Sequence, residues 1–498
     1  MYVTIGEIRQ ELEELERKMQ DEIRSRDPLF TEIHPEQHQA ARNLLHYLTL
    51  RNEDIRVLQD KLHVAGLSSL TSSESHIHRQ LQSILQRVGK KYRDEDLESC
   101  DYSFSKKEIS NKSKMLFGEK KNTVIPYIMV TFDSSFAENY GVIKTLLQNG
   151  MNVARINCAH DDETIWARMV HLLKRACRRT GLSCKIYMDL AGPKIRTHLL
   201  KGGNKKGTAK VKEGELIWLA ENADGFSDGN LVISPNEPGI IANLQKNDRV
   251  YIDDGMIKGV IEKKKKEKAA LRLLRISSKM KQIKEDKGIN FPDTDFSIPS
   301  LTDFDKQCLP FICEYADLVG YSFVRYPGDL VNLQKQMKIH SSKIPLVILK
   351  IETPEAVKNL PDLLLEGMHQ RVFGAMIARG DLAVEIGFER MGEIQEEILW
   401  ICEAAHVPVV WATQVLESLN KSGIATRSEI TDASHAAMAE CVMLNKGDHT
   451  IEVIETLQDI LQRTGGHHIK KRFSFRPLNI ARTFLNKEKP VPDKEKNI

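Results

Sequence analysis

The spacing of apolar positions divides the chain into two regimes. Up to about residue 120 they recur every three or four residues, as on the buried face of a helix. Ile5, Ile8, Leu12, Leu15 and Met19 form the first stripe, opened by Thr4 and Glu7 in a capping-box arrangement, and this stripe is suited to pairing with another helix. Pro35 is placed to begin a second helix with Leu44, Leu45 and Leu48, and a third bearing Ile55, Leu58 and Leu62 stops at Gly66. Ser72 to Ser75 are placed to cap a fourth, with Ile77, Leu81, Ile84 and Leu85 on one face. Lys90 to Lys121 reads as a polar linker containing a short helix.

From Pro126 the period changes. Short β-prone runs alternate with helix-length segments: Tyr127 to Phe132, Asn152 to Ile156, Lys185 to Asp189, Leu318 to Ser322, Val347 to Ile351, Val372 to Ile377, Pro408 to Ala412 and Cys441 to Leu444. Eight strand-helix units predict an α/β fold, a (β/α)8 TIM barrel with its chemistry at the strand carboxyl ends. A stretch of β-type runs and turns after the third run predicts a small inserted β domain, placed to act as a lid. The expected organisation is a helical N-terminal module and linker over 1–120, barrel over 121–198 and 286–475, the β lid over 199–285, and a basic tail over 476–498.

Composition narrows the class without deciding the function. With 41% hydrophobic and 28% charged residues, a net charge of +3 and a pI near 8.2, the chain has neither the basic excess of a nucleic-acid binder nor an apolar run long enough to cross a membrane. Eight scattered cysteines form no C-x-x-C pair and no metal-type spacing, which predicts a reduced, cytoplasmic setting and no zinc site. The first residues, with Glu7, Glu11, Glu13 and Glu14, lack the apolar core of a signal peptide.

The candidate chemistry gathers where strands end. Lys350 and Glu352 follow the fifth run, and Arg379, Gly380 and Asp381 follow the sixth. Two carboxylates, Glu352 and Asp381, suit a hard divalent ion such as Mg²⁺, with Mn²⁺ as a substitute, while Lys350 and the Gly380 and Asp381 N–H groups suit phosphoryl oxygens. Arg155 and Asn157, Asp189 and Arg196, Ser322 and Arg325, and Thr413 occupy the equivalent ends of four other strands.

In that setting the chain resembles the pyruvate kinase family from about Pro126 to Leu461. The resemblance rests on Ala154-Arg155-Ile156-Asn157 with His160, Asp189-Leu190-Ala191-Gly192-Pro193-Lys194-Ile195-Arg196, Ile252-Asp253-Asp254-Gly255, Lys287-Gly288-Ile289-Asn290 and Ser322-Phe323-Val324-Arg325. It continues through Lys350-Ile351-Glu352, Ala378-Arg379-Gly380-Asp381-Leu382, Ala412-Thr413-Gln414, Leu416-Glu417-Ser418 and Thr426-Arg427-Ser428-Glu429. It implies Mg²⁺-dependent phosphoryl transfer from phosphoenolpyruvate to ADP, giving pyruvate and ATP. By resemblance, Glu352 and Asp381 hold the metal, Lys350 stabilises the transferring phosphoryl and the enolate oxygen, and Arg155 grips the phosphate. Thr413 matches a position near the enolate carbon, Ser322 and Gly380 belong to the substrate-binding motifs, and Asn157, His160 and Arg196 match the nucleotide side. For His160 a structural role stands equally beside the ligand role. The family's tendency to associate through its barrels implies a homo-oligomer, with the N-terminal stripe as a further contact.

The sequence also departs from the family pattern. Thr131-Phe132-Asp133-Ser134-Ser135 replaces a Gly-Pro-containing turn, and Asn445-Lys446-Gly447 replaces a Ser-Gly-Glu near the proton path to the enolate, so reprotonation is expected to be slower or differently organised. The family's C-terminal regulatory domain has no counterpart after Leu461. Lys194 and Leu190, with Ala159 in place of a serine, match the K⁺-independent branch, in which the lysine ammonium supplies the charge of the ion. Two other readings stand beside the kinase: a catalytically weak phosphoenolpyruvate or nucleotide sensor or scaffold, and a Mg²⁺-dependent lyase or aldolase working through a pyruvate enolate.

Overall fold

The computed structural model describes residues 4–278, 282–294 and 298–465, with two short strands, His468–Ile469 and Arg472–Phe473, beyond them. The tail predicted over 476–498 lies outside the described residues. Eight parallel strands close a barrel: Tyr127–Phe132, Val153–Asn157, Lys185–Asp189, Leu318–Tyr321, Leu346–Ile351, Gly374–Ala378, Val409–Ala412 and Cys441–Leu444, with the last pairing back onto the first. The predicted runs match these strands to within two residues at each end. Their side chains are almost wholly buried, as expected when helices cover the outside and packed residues fill the inside.

Five helices precede the barrel: α1 (Ile5–Ser25), α2 (His38–Arg51), α3 (Arg56–Val64), α4 (Ile77–Arg87) and α5 (Tyr102–Phe117). The Thr4–Glu7 capping box forms, and Gly66 takes a left-handed φ of 67° just past α3, a conformation that carries no steric cost without a Cβ. Pro35 begins a single 3-10 turn, Pro35–Gln37, and α2 proper starts at His38. No serine side chain caps α4; a 3-10 turn, Glu74–His76, leads into it, and the Ile77 N–H is accepted by Asn43 Oδ1 at 3.0 Å.

Two further expectations for this region are corrected. The α1 stripe is not offered to another chain: Ile8, Leu12, Leu15 and Met19 are buried against α2 and α4, and only Ile5 is exposed. The residues from Lys90 to Lys121 do more than link, because α5 has 16 residues and its Leu116 and Phe117 enter the core inside the barrel strands, beside Met129, Tyr187 and Ile348. Its Lys- and Ser-rich surface conceals that one apolar turn. Buried polar groups fasten the module to the barrel helices. Asn43 Nδ2 donates to the Ala404 carbonyl at 2.8 Å, Gln37 Nε2 to that of Arg371 at 2.9 Å, and His406 Nε2 lies 2.7 Å from the Ser75 carbonyl. Each buried polar group with a partner avoids a desolvation penalty, so the helices and barrel share one continuous apolar core.

After the third barrel strand the chain leaves the barrel to form a seven-stranded sheet with its own core around Ile217, Leu219, Ile233 and Leu271. Thr197–Lys201 begins this sheet and Ile289–Asn290 ends it. Arg196 and Gly288 form a β-bridge where the two connecting segments meet, which positions the unit at the carboxyl end of the barrel.

Candidate functional site

The strand ends converge on a buried ionic cluster. Lys350, on the fifth strand, donates to Ser322 Oγ at 2.6 Å and lies 3.0 Å from Glu352 Oε1 and 3.2 Å from Asp189 Oδ1. Arg155, on the second strand, donates through Nε at 2.9 Å and a terminal nitrogen at 2.6 Å to Asp189 Oδ2, and its other terminal nitrogen donates to Thr131 Oγ1 at 3.0 Å. Asp189, 1% exposed, therefore bridges the two cations. Tyr187 donates its hydroxyl to Asp189 Oδ1 at 3.1 Å. This pair needs Gly320 on the neighbouring strand, since a Cβ there would lie 1.9 Å from the tyrosine oxygen and 2.4 Å from the carboxylate.

The segments following the strands are fixed by equally local causes. Phe323 adopts φ 53°, and its N–H donates to Glu352 Oε2 at 2.7 Å. Gly192, at φ 66°, packs where a Cβ would come within 2.8 Å of Ser322 Cβ, and Asp305 Oδ1 accepts from the Ala191 and Gly192 N–H groups. Thr413, Gln414 and Leu416 all have positive φ, a strained run of the kind that collects at functional sites. There Thr413 Oγ1 accepts from the Gly380 N–H at 2.8 Å. Arg379 turns away to Asp432 and to the carbonyls of Ala412 and Thr413, bracing the loop.

Electrostatics follow from this burial. Desolvation works against the Lys350 ammonium, yet Asp189 and Glu352 outweigh it and raise its pKa above the ordinary value. Burial likewise opposes Asp189 ionisation, but Lys350 and Arg155 hold its carboxyl below the usual range. Glu352 moves the other way: burial raises it, Lys350 opposes, and the negative charge of Asp381 adds to the rise. Lys194 Nζ lies 2.7 Å from Asp381 Oδ1 and 3.9 Å from Asp254 Oδ1, so a residue preceding the β unit and a carboxylate within it meet the sixth strand end. A cavity of about 280 Å³, lined by Asp254, Arg379, Gly380, Thr413 and Gln414, opens here. A larger cavity, about 590 Å³, lies at the other end of the barrel beside α5 and includes none of these side chains.

The residues matched to the nucleotide side are engaged locally. Asn157 Oδ1 accepts from the Ala159 N–H at 3.1 Å, and Arg196 donates to the Asp286 carbonyl at 3.0 Å. Burial, followed by the charges of Lys446 and Arg196, lowers the His160 pKa. The Asn445-Lys446-Gly447 loop thus brings a cation near His160, and Asn420 Nδ2 anchors it through the Asn445 carbonyl at 2.7 Å. Two participants were not among the predicted site residues. Asp189 bridges both buried cations, although its position at a strand end and in a matching motif marked it. Glu385, one helical turn beyond Asp381, accepts from Asn290 Nδ2 at 2.7 Å.

A closed parallel barrel with buried cations and carboxylates at its strand carboxyl ends, and a β unit inserted above them, defines a (β/α)8-barrel protein with a buried, charged site. The profile of the pyruvate kinase barrel domain matches residues 125–451, and the chain belongs to the pyruvate kinase family. It is 28% identical over 359 residues to pyruvate kinase of Staphylococcus saprophyticus, covering 70% of this chain and 59% of that one. To the Geobacillus stearothermophilus enzyme it is 30% identical over 336 residues, covering 66% and 55%. The chain therefore matches little more than half the length of these relatives. A crystal structure of a pyruvate kinase from Cryptosporidium parvum superposes with a TM-score of 0.60 at 26% identity, covering 71% of this chain and 70% of that one.

Proposed function

We propose that the chain catalyses Mg²⁺-dependent transfer of the phosphoryl group of phosphoenolpyruvate to ADP, giving pyruvate and ATP. The observation that carries this reading is the buried Lys350 ammonium, held by Ser322, Asp189 and Glu352 beside Arg155. Phosphoryl transfer asks a protein mainly for positioning and charge neutralisation, and fixed cations in a low-dielectric pocket supply both.

Glu352 and Asp381 would hold the metal: both are hard oxygen donors at neighbouring strand ends, and the negative charge of Asp381 adds to the burial that raises the Glu352 pKa, which supports a cation bound between them. When bound, Mg²⁺ neutralises charge on the transferring phosphoryl group. Lys350 would then face the phosphoryl and enolate oxygens, while Arg155, oriented by Asp189 and Thr131, grips the phosphate. Ser322 fixes Lys350, and the Gly380 N–H fixes the Thr413 hydroxyl near the enolate carbon. Asn157, His160 and Arg196 serve the nucleotide side. The Lys194 ammonium beside Asp381 supports K⁺-independent turnover. The eight cysteines lie in no disulfide, which supports a reducing, cytoplasmic setting, and association of copies through the barrel follows the family habit.

The Asn445-Lys446-Gly447 loop favours one alternative, a phosphoenolpyruvate or nucleotide sensor with slow or absent turnover. A lactate-dehydrogenase-coupled assay with Mg²⁺, run beside calorimetric titration of phosphoenolpyruvate, separates the two. Pyruvate formation that stops with EDTA supports the kinase, and binding without turnover supports the sensor.

A further inference from the structure

Beyond the barrel site, and independently of its chemistry, we propose that the N-terminal helical module binds a borderline divalent ion of the Zn²⁺ type through His46 of α2, His78 of α4 and Glu98. One donor atom from each of these three side chains lies within 4.8 Å of the others. His46 and His78 are 2% and 6% exposed, and their rings lie with centroids 4.4 Å apart and planes tilted by 56°. The Nδ1 of His46 has no hydrogen-bond partner despite being buried, an omission that costs free energy unless something fills it.

The surroundings are arranged as a metal site requires. His78 Nδ1 lies 3.4 Å from Glu98 Oε2, matching the edge of about 3.4 Å between ligands of a tetrahedral ion with bonds of about 2.0–2.1 Å. The second donor of that ring, Nε2, lies 3.4 Å from Glu16 Oε1, near enough to donate once the ring shifts, and like His46 Nδ1 it is buried without a hydrogen-bond partner. A carboxylate behind a ligating histidine fixes its tautomer and raises its basicity. Glu16 is itself held by Lys90 at 2.6 Å and by the Tyr92 hydroxyl at 2.8 Å. Glu98 presents Oε2 because its Oε1 accepts from the Ser99 N–H at 3.1 Å, while its backbone N–H donates to Gln82 Oε1 at 2.8 Å. Two imidazoles and one carboxylate select Zn²⁺ and its neighbours over Mg²⁺ or Ca²⁺, and leave a fourth position for water. A donor pair as wide as 4.8 Å must draw in by about 1.4 Å on binding to reach the tetrahedral edge of about 3.4 Å. Such an ion would pin α2, α4 and the segment entering α5, which carries the barrel plug.

The test uses the full chain, stripped with chelator and titrated with Co²⁺ and Zn²⁺. One Co²⁺ per chain with the intense visible d–d bands of a low-coordinate site, displaced by Zn²⁺, is expected. Glu352→Gln, at the barrel, leaves this signal intact, whereas His46→Ala and Glu98→Gln abolish it. Glu16→Gln retains the stoichiometry with about 10–100-fold weaker affinity. Circular dichroism confirms that each variant folds, and Glu98→Gln carries the test if His46→Ala does not. Absence of a stoichiometric ion, or a signal unchanged in the folded ligand variants, overturns the proposal.

Discussion

Replacing Lys350 by methionine keeps the length of the side chain and removes one charge from the centre of the ionic cluster. Its ammonium lies 3.0 Å from Glu352 and 3.2 Å from Asp189; at an effective dielectric constant of about 20, each pair contributes about 5 kcal/mol of gross Coulomb attraction. Desolvation of the buried ions offsets much of this in the ground state. A phosphoryl oxygen gaining charge at a similar distance would draw on the same field with no further burial cost. A net loss of about 3–5 kcal/mol of transition-state stabilisation follows, equivalent to a roughly 10²–10⁴-fold fall in kcat. Stability should change unevenly. Asp189 retains Arg155, but Glu352 is left without its lysine, so Lys350→Met loses about 3 kcal/mol in metal-free buffer and regains part of it with Mg²⁺. Coupled pyruvate assays and urea melts with and without Mg²⁺ measure both effects. A folded variant retaining more than a tenth of wild-type turnover would refute the role of this cation.

Three further outcomes follow. Turnover should be equal in Na⁺ and K⁺, and Lys194→Thr should make it respond to K⁺; strong K⁺ stimulation of the unaltered chain contradicts the assignment of Lys194. Burial lifts Glu385 to about 7, with Asp381 adding to the rise and the Asn290 hydrogen bond opposing it. The folded value thus exceeds the unfolded one, so the native protein holds the extra proton. Stability is full below pH 4.5, the ordinary value, and falls as pH rises towards 7, by about 3 kcal/mol at 1.36 kcal/mol per unit. Glu385→Gln should flatten that slope in metal-free melts, and an unchanged slope would show that Glu385 does not titrate there. Leu116→Ala, emptying a fully buried position at the barrel interior, should cost about 3 kcal/mol; a loss below about 1 kcal/mol in urea unfolding would mean that α5 does not brace the strands.

The barrel was legible because each strand is a short apolar run bounded by polar, helix-length segments, and that alternation survives sequence divergence. The ionic cluster was legible from position, since Lys350, Glu352, Arg155 and Asp381 stand at the strand carboxyl ends, where a (β/α)8 barrel places its chemistry. Other features are set by tertiary contact rather than by local pattern. Leu116 and Phe117 sit in a Lys- and Ser-rich stretch whose apolar face shows only against the strands. The α1 stripe announces a helical partner but does not say that the partner lies in the same chain. Asp189 is one carboxylate among several until Arg155 and Lys350 are seen to share it. His46, His78 and Glu98 are separated by 32 and 20 residues, so no ligand spacing could reveal them; the packing of α2 against α4 brings them together.

The central claim is the transfer itself, and phosphorus NMR follows both ends of it at once. Phosphoenolpyruvate and ADP are mixed with the chain and Mg²⁺, and the spectrum is recorded over time. The account predicts that the phosphoenolpyruvate resonance declines as the three ATP resonances grow in equal measure, and that EDTA stops both. Phosphoenolpyruvate that persists, or disappears without ATP, would contradict it.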